Sequence, residues 1–149
     1  MTTPAPASSV RGATPEEWGG IAQLLTDRHL PTAGAREHLS AFVVATRGRA
    51  LLGCAGIERY GDVGLLRSVA VIENVGGLGV GADLVRATLD RARALGLREI
   101  YLLTTTAAGY FPRFGFETIG REALPPALGE SEELRGACPA SAVAMRLAL

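Results

Sequence analysis

Cysteine, net charge and long apolar runs are scarce in this chain, and each shortage excludes a class of protein. Only two cysteines occur among 149 residues, and neither stands at metal-ligand spacing from His29 or His38, so no metal site is expected. Lys+Arg and Asp+Glu both number 15, so a net charge of zero gives no electrostatic reason to expect nucleic acid or an anionic membrane as a partner. No stretch approaches the roughly 20 apolar residues that a membrane-spanning helix needs.

What is present is the composition of a globular domain. Hydrophobic residues make up 48% and charged residues 20%, and a chain of this length fits one domain. Residues 1–9 carry neither the basic start nor the apolar core of a signal peptide, and their Pro, Ala, Ser and Thr content predicts a disordered tail. We therefore expect a tail at 1–9, a single domain at 10–149 and a reducing, cytoplasmic location.

Periodic apolar residues predict alternating strands and helices. Thr14, Pro15 and Glu17 are typical of a helix start, because Thr caps the helix, Pro suits its first position and the Glu completes a capping box. Strands are predicted at residues 10–11, 41–46, 50–60, 63–72, 98–104, 116–119 and 141–149, and helices or turns at 14–29, 35–39, 77–95, 107–114 and 122–128. An antiparallel meander followed by a β-α-β unit predicts the α/β (α+β) class, with a mixed, mostly antiparallel sheet and helices on both faces.

The densest glycine cluster, Gly76-Gly77-Leu78-Gly79-Val80-Gly81, follows the strand Val69-Ala70-Val71 and opens the longest predicted helix. Glycine lets the backbone approach a ligand closely, and free N–H groups in the first turn of a helix attract phosphate. The turn is therefore a candidate pyrophosphate site, with a plain strand-to-helix connection as the alternative. Ala82 and Asp83 follow where a P-loop requires Lys and then Ser or Thr, which excludes that motif.

These segments, together with Phe111-Pro112-Arg113-Phe114-Gly115-Phe116, resemble the core of the GNAT N-acetyltransferase superfamily over nearly the whole chain. That core has an apolar V-A-V strand, a Q/R-x-x-G-x-G/A turn, and an aromatic residue four positions before Gly-Phe. Residues 102–111, 138–142 and 145–147 are similar to a narrower group, the arsenic-resistance-associated N-acetyltransferases, which resemble short N-acetylglutamate synthases. The turn's usual Gln or Arg is Gly76, so phosphate binding would rest on backbone donors and weaker CoA affinity is expected.

The resemblance implies how acetyl-CoA, the expected cosubstrate, would be held. Backbone groups of Val69 and Val71 would pair with the pantetheine arm like an added strand, and the strand around Thr104 would splay away to make a slot for the thioester. Phe111 and Phe114 would pack near the cofactor. The residues assigned to acetyl-CoA are Val69, Ala70, Val71, Gly76, Gly77, Leu78, Gly79, Val80, Gly81, Ala82, Thr104, Phe111 and Phe114.

The chain departs from the family pattern where a catalytic base and acid are often found. Leu65 and Leu66 occupy positions at which members often carry a glutamate, and Phe111 replaces an often-used tyrosine. We assign the base to Glu58, with a solvated strand-end carboxylate as the alternative, and the acid to Tyr110, although a helix would turn it about 100° from Phe111. Direct transfer is favoured over an acylated cysteine, because neither cysteine has an evident histidine partner.

Arg67 is the candidate residue for substrate, with Ser68 beside it. It stands in an apolar strand, where a charge is costly unless it is paired. Two roles remain open: a bidentate clamp on a substrate carboxylate, or a pair with a structural carboxylate such as Glu58 or Glu99.

The expected function is acetyl-CoA-dependent N-acetylation of an amino acid or a glutamate-like analogue. The substitutions at the usual base and acid positions keep a non-catalytic acyl-CoA-binding module open as an alternative. Acetylation of protein N-termini is a third. The expected partner is a small amine, and because GNAT domains often dimerise, a homodimer is a further expectation by analogy.

Overall fold

The computed structural model of this protein describes residues 9–73, 79–137 and 139–149. Most of the predicted tail, Gly76, Gly77, Leu78 and Cys138 lie outside the described residues. The strands are β1 (Ser9–Gly12), β2 (Phe42–Arg47), β3 (Ala50–Tyr60), β4 (Val63–Val71), β5 (Glu99–Thr104), β6 (Glu117–Ile119) and β7 (Val143–Ala148), and the α-helices are α1 (Trp18–Asp27) and α2 (Val80–Ala94).

The seven strands form one sheet in the order β1-β2-β3-β4-β5-β7-β6. β4 and β5 run parallel, joined by α2 as a β-α-β crossover, and every other neighbouring pair is antiparallel. The predicted mixed, mostly antiparallel sheet is confirmed. The last strand, β7, lies between β5 and β6, an order that the element sequence alone did not indicate.

The two helices cover opposite faces of the sheet, because alternate residues of a strand point to opposite sides. Phe42 and Val44 of β2 pack in one cluster with Ile21 and Leu25 of α1. Val43 and Ala45, the alternate positions, pack with α2 residues on the other face. The predicted placement of helices on both faces is therefore confirmed.

A bulge in β4 sets up the functional region. Arg67 pairs with Gly56 and Ala70 with Cys54, so Ser68 and Val69 together face the single residue between those partners. Ser68 adopts a left-handed φ of 60°, an unusual backbone conformation for serine. The extra residue reverses the alternation, so Val69 joins the α2-side cluster that contains Leu66, three positions earlier.

Several predicted elements are shorter or tighter than expected. Between β5 and β6, helical structure is confined to a 3-10 helix at Phe111–Phe114 instead of 107–114, because Pro112 has no N–H to donate and tolerates only the first turn of a helix. Short 3-10 helices also form at Pro15–Glu17, Arg36–Ala41, Arg121–Ala123 and Pro126–Glu130. A turn of π-helix at Glu133–Ala137 lies in a stretch to which the sequence assigned no element.

Candidate functional site

A cavity of about 820 Å³ opens where β4 and β5 separate. The parallel pairing of these strands covers only Val63–Leu66 with Glu99–Leu102. Beyond that point β4 follows its bulge while β5 continues beside β7, so the two strands diverge. The cavity is lined on one side by Val69 and Val71 and on the other by residues 102–107. A cavity therefore lies between V-A-V and Thr104, where the family resemblance implies a slot for the thioester.

The N-terminus of α2 forms one wall of this cavity. Gly79, Gly81 and Ala82 line it, and Gly79 caps the helix with a left-handed φ of 73°, which glycine adopts without strain. The first backbone bond of the helix runs from the N–H of Asp83 to the carbonyl of Gly79, so three N–H groups precede it without a partner inside the helix. These donors, with the positive end of the helix dipole, make this wall suitable for an anion.

Glycine at position 81 leaves room that a larger residue would fill. An ideal Cβ there would lie 3.3 Å from the Tyr110 hydroxyl and 3.6 Å from a methyl group of Val71. The phenol of Tyr110 therefore lies beside the first turn of α2. Tyr110 lines the cavity, and the expectation that a helix would turn it away is wrong, because it precedes the 3-10 helix as its N-cap.

The cavity wall near Tyr110 also carries a guanidinium. Arg113 lines the cavity, donates from Nε to the Tyr110 carbonyl at 2.9 Å, and stacks over the Tyr110 ring at 4.3 Å from its centroid. Phe111 reaches the same wall, but only 6% of it is exposed and it packs mainly into the core. The position at which the resemblance implies a tyrosine is thus occupied by a core residue, and the neighbouring phenol of Tyr110 faces the cavity.

A buried charged cluster lies behind the bulge. Arg67 Nη1 donates to Glu58 Oε2 at 2.7 Å, and Arg67 Nε lies 3.3 Å from an oxygen of Glu133. The same guanidinium donates to the carbonyls of Pro31 and Ala33 at 2.9 and 2.8 Å. Arg67 therefore holds β3, the segment after α1 and the turn at Glu133 against β4.

The sequence left two roles open for Arg67: a pair with a structural carboxylate, or a clamp on a substrate carboxylate. The partners of its guanidinium distinguish them. Pairing with Glu58 is present, whereas Glu99 pairs with Arg146 at 2.5 Å. Nε also donates to Ser68 Oγ at 3.0 Å, so four of the five guanidinium N–H groups point at protein oxygens. A bidentate clamp on a substrate carboxylate would have to displace one of these partners.

Glu58 is not the solvated strand-end carboxylate that the sequence left open as the alternative to a catalytic base. Only 1% of it is exposed, and its second oxygen accepts a hydrogen bond from the Tyr60 hydroxyl at 2.5 Å. Burial and this bond to Glu58 raise the pKa of Tyr60, which keeps the phenol protonated. Among the described residues, Arg67 and Ser68 line the cavity and Glu58 does not.

The thiol of Cys54 is also buried behind the bulge. It donates to the Ser68 carbonyl at 3.3 Å, and burial raises its pKa to about 12. A thiol with so high a pKa is not a nucleophile at neutral pH, in accordance with the predicted direct transfer.

Some of the assigned residues do not face the cavity with their side chains. Ala70 packs under α1, Val80 packs in the α2-side core, and Phe114 stacks edge-on against Tyr110. Thr104 lines the cavity, with its hydroxyl accepting the N–H of Ala107 at 2.9 Å.

Sequence reasoning missed Glu133. It is 4% exposed, lines the cavity and reaches Arg67, yet it stands in an irregular stretch of polar residues without periodicity. No local signal separated it from its exposed neighbour Glu132.

Comparison with known proteins identifies this arrangement. The family model described as the acetyltransferase (GNAT) family matches residues 9–116. The chain belongs to the GNAT acetyltransferase family. An amino-acid acetyltransferase of Azotobacter vinelandii is 32% identical over 127 residues, a match that covers 79% of this chain and 29% of that protein. The chain therefore spans less than a third of the length of this curated relative.

Solved structures share the GNAT fold. The N-acetylglutamate synthase of Neisseria gonorrhoeae complexed with coenzyme A and N-acetyl-glutamate superposes with a TM-score of 0.81 at 24% identity, covering 96% of this chain and 35% of that one. Rv2747 of Mycobacterium tuberculosis, solved in a complex that includes CoA, superposes with a TM-score of 0.77 at 23% identity and covers 95% and 99% of the two chains. At these identities the likeness establishes the fold of the GNAT domain.

The described residues of this GNAT domain contain no group of three or more His, Cys, Asp and Glu side chains arranged to bind a metal ion. No helix in the described ranges has both the length and the apolar character needed to cross a membrane.

Proposed function

We propose that the protein transfers the acetyl group of acetyl-CoA directly to the amine of an amino acid or a glutamate-like analogue. The observation that carries this proposal is the cavity between the diverging strands β4 and β5, with the N-terminus of α2 on its wall. The name of the 32% identical relative, an amino-acid acetyltransferase, supports the same reaction.

The residues present fit acetyl-CoA. Beyond Leu66, β4 has no pairing with β5, so backbone groups of Val69 and Val71 are available to the amides of a pantetheine arm. The pyrophosphate would be held by the N–H groups at the start of α2, with Arg113 as a nearby cation. When bound, acetyl-CoA supplies the thioester whose acetyl group is transferred.

The chain's own residues would position the reacting groups and transfer protons. Tyr110 is the proposed acid, because its hydroxyl lies in the cavity beside α2 and can donate a proton to the leaving thiolate. In this proposal, backbone N–H groups at the Ser68–Val69 bulge stabilise the developing oxyanion. Glu58 lies behind Arg67, so in this proposal it positions the guanidinium. The proton that the acceptor's ammonium group must lose before it attacks the thioester passes to solvent water in the open cavity instead of to Glu58, the base first assigned.

The acceptor class rests on relatives and on the sequence resemblance. The Neisseria gonorrhoeae synthase was solved with N-acetyl-glutamate, and we extend a glutamate-like acceptor to this chain. The resemblance to arsenic-resistance-associated enzymes supports phosphinic or arsinic analogues of glutamate as acceptors. The cytoplasmic location and the homodimer remain predictions.

One observation favours a second candidate, a non-catalytic acyl-CoA-binding module. Leu65, Leu66 and Phe111, which stand where the family often carries its base and acid, are all buried in hydrophobic clusters. A chain with these substitutions would retain the CoA slot and lose turnover.

Release of free CoA from acetyl-CoA tests the proposal, with L-glutamate, phosphinothricin and glycine as acceptors. A Gly81→Val variant should lose turnover and CoA binding, because the side chain would enter the cavity beside Tyr110. Gly19→Val is the matched control, since Gly19 lies on exposed helix surface with no atom within 4 Å of an added Cβ. CoA binding by calorimetry without turnover of any acceptor would favour the binding module.

A further inference from the structure

A histidine that the proposed reaction does not use stands on the wall of the cavity. His29 follows α1 and lines the cavity together with Pro31, Arg67 and Ser68. Imidazole is the side-chain group that both accepts and releases a proton readily near neutral pH. His29 is also exposed, so a proton that it accepts can leave to bulk solvent.

The backbone of His29 adopts a conformation that glycine adopts most readily. Its φ is 59°, and among the described residues only His29 and Ser68 combine a left-handed φ with a side chain. Both residues line the same cavity. Because costly backbone conformations concentrate at functional sites, the two together mark this part of the cavity as functional.

The hydrogen bonds that end α1 show why glycine would be the ordinary residue at position 29. The N–H of Leu30 donates to the Leu25 carbonyl at 2.8 Å, and the N–H of His29 donates to the Thr26 carbonyl at 3.1 Å. In this Schellman pattern the left-handed residue is usually glycine. Within the described ranges, the imidazole of His29 has no hydrogen bond, ion pair or ring contact that would offset the cost of a side chain there.

The segment that carries His29 is tied to the bulge of β4. The Pro31 carbonyl accepts a hydrogen bond from Arg67 at 2.9 Å, and the same guanidinium donates to Ser68 Oγ at 3.0 Å. Two peptide units keep the Cα atoms of His29 and Pro31 within about 7.6 Å of each other. One guanidinium therefore joins the segment of His29 to the residue beside which the proposed reaction places the acceptor.

We propose that His29 is the general base of the reaction and acts through one water molecule. The inference rests on the proposed acetylation of amines and adds the group that finally takes the acceptor's proton. An N–H bond of the ammonium group breaks, its electron pair stays on nitrogen for the attack on the thioester, and water takes the proton. That water gives a proton to the unprotonated ring nitrogen of His29, and the imidazolium releases its proton to bulk solvent before the next turnover.

Two variants separate the chemistry of the imidazole from its place in the turn. Glycine suits the left-handed position best, and asparagine also tolerates it, so His29→Gly and His29→Asn should both keep the fold. Both should lower kcat about a hundredfold, with little change in the KM for acetyl-CoA, because a general base contributes to the chemical step. The assay is CoA release with the fastest acceptor among L-glutamate, phosphinothricin and glycine.

Free imidazole supplies a readout that a structural role would not move. It should restore part of the kcat of His29→Gly and leave that of the wild type unchanged, while the urea midpoint of His29→Gly should equal or exceed the wild-type value. Arg28→Asn is the matched control and should keep the wild-type kcat, since Arg28 is the exposed neighbour and, in the described part of the chain, does not line the cavity.

Three results would overturn the inference. They are an unchanged kcat in His29→Asn, a loss in His29→Gly that imidazole does not reduce, and a lower urea midpoint for His29→Gly, which would show that the side chain supports the fold.

The same assay separates this inference from the proposed function. CoA release that is as fast in the His29 variants as in the wild type supports the reaction and contradicts His29 as its base. A wild type that binds CoA but releases none from acetyl-CoA with any acceptor contradicts the reaction itself and, with it, the base.

Discussion

Arg67 and Glu58 form an ion pair from which water is almost wholly excluded. Nη1 and Oε2 are 2.7 Å apart, and the two side chains are 0% and 1% exposed. The pair joins β3 to β4 at the bulge that shapes the cavity, so it supports the site whether or not Arg67 also touches the acceptor.

Removal of Arg67 should destabilise the fold strongly. Arg67→Met leaves Glu58 and Glu133 buried without their cation, and we expect the free energy of unfolding to fall by about 3–5 kcal/mol in urea denaturation. The double variant with Glu58→Met should recover part of this loss. Arg98→Met is the control, because its pair with Asp62 is exposed and 4.0 Å long, and it should cost about 0.5 kcal/mol or less. Equal stability of the two single variants would contradict the buried-pair argument.

The phenol of Tyr110 should matter for turnover more than for binding. If it protonates the leaving thiolate, Tyr110→Phe should lower kcat by about a hundredfold with little change in KM for acetyl-CoA. Tyr101→Phe is the control, since Tyr101 bonds to Glu99 and does not line the cavity in the described part of the chain. An unchanged kcat in Tyr110→Phe would mean that water protonates the thiolate.

Arg113 should strengthen the binding of CoA. Its guanidinium is held over Tyr110 on the cavity wall, so Arg113→Ala should raise the Kd for CoA about fivefold at low salt, and by less at about 0.3 M salt, because exposed charges are screened. Arg98→Ala, a change outside this cavity, should leave the Kd unaltered. The assignment fails if both variants bind CoA equally well at low salt.

Protonation of Glu17 at low pH should lower the free energy of unfolding. A hydrogen bond from the Arg11 side chain, at 2.8 Å, is the main cause that lowers the pKa of Glu17 to about 2, and the N–H of Thr14 also donates to it. Because the folded-state pKa lies below the unfolded value, the stabilisation is complete above about pH 4.5 and is lost as the pH falls toward about 2.

Glu17→Gln should therefore cost about 1 kcal/mol near pH 7, and this difference from the wild type should shrink between about pH 4.5 and pH 2. Urea denaturation across that range measures it, with Glu16→Gln in the same turn as the control. A difference that stays constant with pH would show that the carboxylate charge is not responsible.

The sequence by itself determined the order of elements and the family. The alternation in residues 50–60 and the period of residues 80–94 are local, because a strand repeats every two residues and a helix every 3.6. The V-A-V strand and the glycine turn, which indicate the family, likewise lie close together in the sequence. The glycines also located the wall of the cavity, although Gly76 and Gly77 lie outside the described residues.

Tertiary structure alone decided which side chains meet. Glu58 and Arg67 stand nine residues apart on neighbouring strands, whereas Glu133 comes from a distant part of the chain, so a two-residue period cannot reveal that the three side chains meet. Pro112 shortened the helix that would have turned Tyr110 from the cavity, and β7 entered the sheet between β5 and β6. Burial and register are properties of the packed sheet, so only the tertiary structure shows that Glu133 is buried beside Arg67.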